Sequence, residues 1–470
     1  MPDFLRILSW LVPLAMLPVV AGRHAPSAAL AWLLLLFFQP WFGLVIYFLF
    51  GENRVIRRLT KTYCQRIKEV RSLHNVSADM PFSSHPNLGL GMPLDRITER
   101  LVCMPAVRGN EADLIYNGHE VIDRIVADID AAGKHVHLLF YIFQDDPVGR
   151  KVAGAMARAA ARGVRTRLVV DAFGSRSLDR GLSRWMIDSG VEFRELMPIN
   201  PFRRHHTRLD LRNHRKLVVI DGRIAYTGSQ NIETKDYDDT RPDAWHDLMI
   251  RITGPSVPQL QMVFVEDWYL ASGEILETDD LFPLPLDDGN MTVQVIPTGP
   301  TEPNTALRDI LISAMGLARK RIIITSPYFI PDEPFRVALY LATLRGIRVD
   351  LVIPRRTDHP ILGAVARAYI SSLVESGMNI YFHQGMIHSK TMTVDDALSV
   401  IGTANFDRRS FFLHSELSLL LYGREITERL RAKQLEYISQ SVKLDPMRWK
   451  FRSGLKKTRD NILKILSPIL

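Results

Sequence analysis

The sequence predicts an α/β protein in which two duplicated α/β/α halves form one catalytic unit, preceded by an N-terminal transmembrane hairpin. Three observations support this fold class. A polar motif of eighteen residues occurs twice, the same order of helices and strands surrounds each copy, and the first fifty residues are mostly apolar. One copy of the motif would be weak evidence, but two complete copies in one chain do not arise by chance.

The motif reads His-x-Lys-x4-Asp-x6-Gly-(Ser or Thr)-x-Asn, at residues 214–231 and again at 388–405. The recurring polar residues are His214, Lys216, Asp221, Ser229 and Asn231 in the first copy, and His388, Lys390, Asp395, Thr403 and Asn405 in the second.

Each motif copy predicts a strand, a turn and a returning strand. In the first copy, the apolar run 217–220 is typical of a buried strand, and alternation places His214 and Lys216 on one face of it. Turn chemistry follows at 221–222, and 223–227 returns as a strand. The second copy repeats this with strands at 391–394 and 398–401. The histidine, lysine, hydroxyl and asparagine of a copy are therefore expected to converge.

The segments around the motifs repeat one order of elements. The first half predicts a helix at 120–132, a strand at 135–143, a helix at 152–162, a strand at 166–171, and a helix end at 183–189 followed by 191–193. The second half predicts a helix at 306–319, a strand at 322–328, a helix at 335–345, a strand at 349–353, and a helix at 364–376 followed by 378–380. A strand at 417–422 and a charged helix at 424–439 follow. We therefore predict an internal duplication.

Two apolar stretches open the chain. The first, 7–22, contains Pro13 and Pro18 and reaches only about 24 Å as a helix, which leaves a thin span, a re-entrant segment and a signal-peptide core as alternatives. The second, 28–50, has no charged residue and is long enough to span. A basic cluster then follows, made of Arg54, Arg57, Arg58, Lys61, Arg66, Lys68 and Arg71. The positive-inside rule predicts a multi-pass protein of the cell (inner) membrane with its catalytic domain on the cytoplasmic side.

The predicted organisation has six parts. They are a membrane-anchoring hairpin at 1–58, a connector at 59–109, the first half at 110–272, an acidic surface linker at 273–290, the second half at 291–446, and a basic amphipathic segment at 447–470. The end of that last segment is either an interfacial helix or an ordinary helix packed on the domain. The whole chain has two cysteines, Cys64 and Cys103, which exclude a disulfide framework.

The net charge of +8 favours acidic partners, either nucleic acid or anionic lipid. Charge does not choose between them. Two apolar stretches beside the predicted site favour lipid, so no nucleic-acid partner is expected. The oligomeric state stays open.

The paired motifs resemble the HKD motifs of the phospholipase D superfamily, so each half is expected to be phospholipase D-like. A narrower resemblance, over nearly the whole chain, is to the bacterial cardiolipin synthases. It rests on the apolar start, on Asn405-Phe-Asp-Arg-Arg-Ser410 and on Ser326-Pro-Tyr-Phe-Ile-Pro-Asp332. The resemblance implies that one phosphatidylglycerol gives its phosphatidyl group to a histidine, and that a second phosphatidylglycerol takes it to form cardiolipin.

Phosphodiester exchange needs a nucleophile, an acid for the leaving alcohol, and cations near the phosphoryl oxygens. One imidazole attacks phosphorus while the other protonates the leaving group. Lys216 and Lys390 supply the positive charge, so neither a metal nor another cofactor is expected. Asn231 and Asn405 are expected to bind phosphate oxygens, with Ser229 and Thr403 contacting phosphate or standing behind it. Asp221 and Asp395 complete the two catalytic motifs, but they lie at turns, where we expect structural work rather than proton transfer.

Each catalytic histidine also needs an acceptor on its second ring nitrogen. The superfamily takes it from an acidic residue on a later strand, and Asp247 and Glu416 stand at the matching places. The resemblance assigns His214 as nucleophile and His388 as acid and base, an order that the near symmetry of the motifs does not supply.

The halves differ in a basic loop. The segment 193–214 is longer than its counterpart 380–388, and the extra residues include Arg203, Arg204, His205, His206, Arg208 and Arg212. This loop is either a solvated basic segment or a headgroup contact, with Arg203, Arg204 and Arg208 as the candidates.

Three other functions compete with a cardiolipin synthase. They are a phospholipase D-type hydrolase or a transphosphatidylase with another alcohol acceptor, a superfamily nuclease, which the apolar start disfavours, and a non-catalytic lipid-binding scaffold, which would predict a degraded motif.

Overall fold

The computed structural model describes residues 2–24, 26–51, 92–198, 211–237, 241, 243–276, 279–284, 289–299 and 305–464. They belong to two compact units, one within 1–62 and the other within 63–470. The basic cluster after residue 51 and the headgroup candidates Arg203, Arg204 and Arg208 lie outside the described residues.

The described part of the first unit contains three helices, α1 (Pro2–Ala21), α2 (Pro26–Phe38) and α3 (Pro40–Ile46), followed by a π-helical turn, Tyr47–Gly51. The stretch predicted as one continuous span over 28–50 is therefore divided, which corrects that prediction. Gln39 leaves helical geometry at φ −138° and ψ 73°, and Pro40, which has no N–H to offer a preceding helix, begins α3. Within the described ranges, no helix combines the length and apolar character needed to cross a membrane.

The second unit is built on one fifteen-stranded sheet, with four further two-residue strands beside it. The strands are β1 (Val107–Ile115), β2 (His135–Phe140), β3 (Arg165–Asp171), β4 (Glu192–Leu196), β5 (Lys216–Ile220), β6 (Ile224–Gly228), β7 (Trp245–His246), β8 (Met249–Thr253), β9 (Met291–Thr298), β10 (Arg321–Thr325), β11 (Phe329–Ile330), β12 (Arg348–Pro354), β13 (Asn379–His383), β14 (Met386–Ile387), β15 (Lys390–Val394), β16 (Leu398–Gly402), β17 (Phe406–Asp407), β18 (Glu416–Tyr422) and β19 (Val442–Lys443).

The described residues of the second unit also form helices, most of which pack on the sheet. They are α4 (Met92–Val102), α5 (Gly118–Ala131), α6 (Pro147–Ala161), α7 (Arg180–Asp188), α8 (Val257–Ser272), α9 (Ala306–Leu317), α10 (Glu333–Leu344), α11 (Pro360–Glu375), α12 (Arg408–Phe412), α13 (Arg424–Ser439), α14 (Pro446–Lys450) and α15 (Gly454–Lys464).

The strand order shows the duplication directly. The first half runs β4-β3-β2-β5-β6-β8-β1, and the second runs β13-β12-β10-β15-β16-β18-β9 with β19 added at its outer edge. The two halves join where β1 and β9 pair antiparallel. The predicted duplication is therefore confirmed, and the two halves share one continuous sheet.

The core is also shared between the halves. Helix α8 is buried along most of its length, and its Phe264 and Trp268 belong to one apolar cluster with Leu217 of the first half and Leu419 of the second. Burying such side chains contributes about 25 cal/mol per Å² of apolar surface. The halves are therefore expected to fold as one cooperative body rather than as two domains.

Three segments predicted to lie outside the halves pack against them. From the connector, α4 buries Leu94 and Val102 in the core of the second half. From the acidic linker, Leu281 is buried and Asp280 pairs with Lys134 at 2.7 Å. These two corrections follow from apolar residues within otherwise loop-like sequence. Helix α15 packs on α11, so its described part is an ordinary packed helix.

Candidate active site

The two motifs fold as matching hairpins. Strands β5 and β6 pair antiparallel, as do β15 and β16, where Lys390 lies opposite Gly402. Asp221 and Asp395 begin the turns with φ of 53° and 50°, in the left-handed region that aspartate tolerates better than most residues. The motif lysines stand at the other end of the hairpins, away from these turns.

The motif aspartates fasten the hairpins to neighbouring strands. The Asp221 carboxylate accepts hydrogen bonds from the backbone N–H groups of residues 133, 134 and 135 at 2.8–2.9 Å. Asp395 accepts three from residues 319, 320 and 321 at 2.8 Å. Of the six residues predicted as catalytic, the structure leaves Asp221 and Asp395 at the far end of the strands. It brings the other four together, since burial and the charges of both Lys216 and Lys390 lower the pKa of each motif histidine.

The motif histidines are held across the boundary between the halves. His214 donates its backbone N–H to the carbonyl of Ser415, and His388 donates to that of His246, at 2.8 and 2.9 Å. Nδ1 of His214 lies 3.1 Å from Oε2 of Glu416. Nδ1 of His388 lies 2.6 Å from Oδ1 of Asp247. Each half thus supplies the carboxylate that orients the imidazole of the other half.

The motif hydroxyls hold these carboxylates. Ser229 donates to Asp247 at 2.6 Å and accepts the N–H of Leu248 at 2.9 Å. Thr403 donates to Glu416 at 2.5 Å and accepts the N–H of the next residue, 417, at 2.9 Å. Both hydroxyls therefore stand behind the carboxylates, which is one of the two places that the sequence predicted for them.

The motif lysines are buried beside the histidines. Each donates to the carbonyl of the histidine two residues before it, Lys216 at 2.8 Å and Lys390 at 2.5 Å. Within the part of the chain that the structure describes, neither ammonium forms an ion pair. Burial lowers the pKa of Lys216 to about 7 and that of Lys390 to about 8, against the attraction of nearby carboxylates. Two positive charges without a direct counter-ion suit an anionic ligand.

Electrostatics fix the protonation of the site. Burial and the charges of Lys216 and Lys390 lower the pKa of His214 to about 4, against the opposing pull of Glu416. Burial, followed by Lys390, also lowers the pKa of His388. Burial would raise the pKa of the two carboxylates, but the histidines facing them hold the pKa of Glu416 at about 2 and that of Asp247 well below its usual range. Each neutral imidazole therefore carries its proton on Nδ1, leaving Nε2 as a nucleophile or base.

The asparagines border this site. Nδ2 of Asn231 donates to Glu233 at 3.1 Å, and the backbone N–H of Asn405 donates to Ser410 at 3.1 Å. Their side-chain carbonyl oxygens are buried and accept no hydrogen bond from any described residue. These oxygens can accept from a ligand donor such as a hydroxyl, whereas a phosphate oxygen would need the amide Nδ2 groups.

Aromatic residues that the sequence reasoning missed flank the histidines. The Tyr141 ring lies 4.7 Å from that of His214, and the Trp245 ring lies 5.2 Å from that of His388. The ring of His414 lies 5.8 Å from that of His214. Trp245 and His414 each stand two residues before an orienting carboxylate, a shared offset that would have identified them.

The basic loop is described only at its end. Arg212 is buried, 3.7 Å from the Asp171 carboxylate, and donates to the carbonyl of Met197. Of the arginines noted in the loop, this one therefore has protein partners.

Two equivalent hairpins, each contributing a histidine and a lysine to one site, with carboxylates exchanged between the halves, define an enzyme of the phospholipase D superfamily. Comparison with known proteins narrows the class. The family described as "Cardiolipin synthase, PLD-like domain" matches residues 125–268 and 311–436, more than half of the chain, and "Phospholipase_D-nuclease N-terminal" matches 14–52. The chain belongs to the cardiolipin synthase family.

Individual relatives agree with this assignment. Cardiolipin synthase A of Edwardsiella ictaluri and that of Yersinia pseudotuberculosis are each 31% identical to the chain, over 100% of both sequences. Among solved structures, the phosphatidylserine synthase of Haemophilus influenzae is similar in fold, with a TM-score of 0.59 at 15% identity, over 80% of this chain and 98% of that one.

Proposed function

We propose that this chain is a cardiolipin synthase, which transfers a phosphatidyl group from one phosphatidylglycerol to a second and releases glycerol. The observation that carries the proposal is the pair of histidines with exchanged carboxylates, His214 with Glu416 and His388 with Asp247, in a member of this family. The enzyme is thus a phosphatidyltransferase that works through a phosphatidyl-histidine intermediate.

In the first half-reaction, Nε2 of His214 attacks phosphorus. The bond from phosphorus to the glycerol oxygen breaks, and His388 gives that oxygen a proton. Two acceptors support His214 as the nucleophile, because Nδ1 lies 3.1 Å from Glu416 and 3.2 Å from the carbonyl of Thr403, which keeps the proton on that nitrogen. The shorter 2.6 Å contact to Asp247 favours the protonated form of His388.

In the second half-reaction, His388 is neutral and removes a proton from the glycerol hydroxyl of the second phosphatidylglycerol. The oxygen attacks phosphorus, the bond to Nε2 of His214 breaks, and cardiolipin leaves. His388 then holds the proton needed for the next cycle. The two steps together consume two phosphatidylglycerols and produce one cardiolipin and one glycerol.

Lys216 and Lys390 stabilise the phosphoryl oxygens. A bound phosphodiester is an anion, so it raises the pKa of both ammonium groups above their values in the free enzyme. The same charge favours protonation of His388 when the substrate is bound. Asn231 and Asn405 complete the phosphate contacts, and the assignment of Arg203, Arg204 and Arg208 to the headgroup stays a prediction from the sequence.

We also propose that the first unit anchors the enzyme at the cell membrane, with the catalytic unit on the cytoplasmic side. Large apolar side chains of this unit face outward, among them Leu14, Phe38 and Phe42, which are 67, 72 and 59% exposed. Such exposure is unusual against water and suits contact with lipid.

Purified enzyme incubated with phosphatidylglycerol in mixed micelles tests the reaction by lipid analysis. We expect cardiolipin and glycerol in equal amounts. Phosphatidic acid as the main lipid product would indicate a hydrolase instead, and the absence of turnover would contradict the proposal. The matched control is the His214→Ala/His388→Ala protein, which should leave the lipid unchanged while retaining its circular dichroism spectrum.

A further inference from the structure

Helix α10 carries a row of large apolar side chains that face outward. Their spacing, i, i+3, i+4 and i+7, places them along one face of the helix. The row consists of Val337, Tyr340, Leu341 and Leu344, with fractional exposures of 43, 44, 52 and 64%. The opposite face buries Phe335, Leu339 and Ala342 in the core of the second half. Helix α10 is therefore apolar on two faces, and the described residues of the second unit cover only one of them.

The duplicated helix of the first half shows that the fold does not require this row. Helix α6 stands at the same point of the repeat, between the strands equivalent to those that flank α10. Its outward face presents Lys151 and Arg158, which pair with Asp123 and Asp130 of α5, the latter pair at 2.7 Å. An ordinary solvated face thus occupies the place where the second half has an apolar one.

Cations adjoin the apolar row at the C-terminal end of α10. The Arg345 guanidinium donates to the carbonyls of Met315 and Gly316 at 2.8 and 2.7 Å, so those contacts leave its charge uncompensated. Arg319 and Lys320 are exposed on a neighbouring loop. The backbone N–H of residue 348, shortly after the end of α10, donates to the carbonyl of residue 320 on this loop. Across the described ranges, no ion pair joins these three cations to a carboxylate. Asp395 accepts the backbone N–H groups of Arg319 and Lys320, and Asp396 attracts Lys320, so these carboxylates offset part of the positive charge. Apolar side chains next to a group of cations are typical of helices that lie on anionic lipid.

We propose that this face of α10 is a membrane-contact surface that inserts its apolar row into the headgroup region of an anionic bilayer. The inference rests on the proposed function, because the substrates of a cardiolipin synthase are bilayer lipids. A second copy of the chain is the other occupant to consider. Four side chains fall far short of the roughly 20–30 residues and about 800 Å² per partner of a stable protein interface, whereas a bilayer needs no matching surface.

A fluorescent label placed in the row tests the contact in the full chain. The variant carries Leu341→Cys with an environment-sensitive fluorophore, on a Cys64→Ser/Cys103→Ser background, and is reconstituted in vesicles of phosphatidylglycerol and phosphatidylcholine. We expect blue-shifted emission and strong quenching by spin-labelled acyl chains, both weaker in vesicles of phosphatidylcholine alone. The matched control carries the label at Lys151→Cys on α6, where we expect neither change.

Equal quenching at the two positions would overturn the proposal. So would a blue shift in lipid-free detergent accompanied by energy transfer between labels, because that result identifies a second copy as the occupant. The Leu341→Glu/Leu344→Glu protein provides a second readout. With a label at Val337→Cys, it should show several-fold weaker quenching in these vesicles than the same label without the two glutamates, while keeping its turnover in mixed micelles. The first unit anchors both proteins equally, so unchanged quenching would contradict the proposal. If the label at Leu341→Cys is quenched but the enzyme turns over no phosphatidylglycerol, the membrane contact stands and only the proposed reaction is refuted.

Discussion

The two half-sites share one frame and differ in the side chains around it. In each, the imidazole faces a carboxylate of the opposite half, which is held in turn by a threonine or serine hydroxyl. Beside His388 stands Trp245, whose ring also receives the ammonium of Lys235 at 4.4 Å. Beside His214 stand Tyr141 and His414.

The duplicated motif supplies the same reactive groups to both half-sites and leaves their two catalytic roles unassigned. Both histidines inherit the same hairpin, the same lysine and the same kind of carboxylate. The two histidines differ in the rings beside them, which lie outside the recurring motif residues. They also differ in the length of the acidic side chain that each faces, Glu416 or Asp247. The following predictions test how unequal the two halves are.

The largest effect is expected from removing the histidines one at a time. His388→Ala should lower kcat by about 10²–10⁴-fold, because general acid and base catalysis is lost, and it should accumulate the phosphatidyl adduct on His214. His214→Ala should form no adduct. Acid quenching with labelled phosphatidylglycerol, followed by peptide mapping, measures both. An adduct at His388 in the His214→Ala protein would reverse the assignment.

Removing the charge of one exchanged carboxylate should affect the histidine of the other half. Glu416→Gln should slow adduct formation on His214 by about 10²-fold, because a misplaced nucleophile loses roughly that much. Asp247→Asn should instead slow the step that consumes the adduct. Single-turnover measurements with labelled lipid separate the two steps, and Glu425→Gln, an exposed position on α13, is the matched control. Identical kinetic defects in both variants would show that the half-sites are functionally equal.

The lysines predict the alkaline side of the pH profile. In the free enzyme the pKa of Lys216 is about 7 and that of Lys390 about 8, so both ammonium charges disappear as pH rises through this range. Hence kcat/KM should fall between about pH 7 and pH 9, since it reports the free enzyme. Because the bound phosphate raises both pKa values, kcat should hold to higher pH. Parallel profiles for kcat/KM and kcat would contradict this account.

The smallest effect on catalysis is expected from the motif aspartates. Asp221→Asn and Asp395→Asn each weaken three backbone hydrogen bonds, which should lower the free energy of unfolding by about 1–3 kcal/mol. The folded enzyme should keep most of its kcat, because neither carboxylate reaches the histidines. Denaturant unfolding and activity per folded molecule measure the two quantities. A loss of kcat without a loss of stability would show that these aspartates take part in catalysis.

Much of this molecule follows from local pattern. Period-two alternation and an Asp turn predict each hairpin, and the observed strands, Lys216–Ile220 and Lys390–Val394, fall within a residue or two of the expected ones. Helix 424–439 is found with those bounds. Elements with weaker local signals were missed. Strand Val107–Ile115 mixes charged and apolar residues because one of its faces is partly solvated, and α8 is buried on nearly all sides, so it lacks an amphipathic stripe.

The sequence by itself determined the duplicated α/β unit, the residues of the two motifs and the identity of the orienting acids. Each of these follows from the spacing of residues along the chain. Only the tertiary structure decided that Glu416 serves His214 and Asp247 serves His388. That choice depends on β1 pairing with β9 and on the loop before each motif bonding to the opposite half. Partners about 140 and 200 residues apart leave no periodic trace, because long-range pairing is fixed by packing rather than by local geometry.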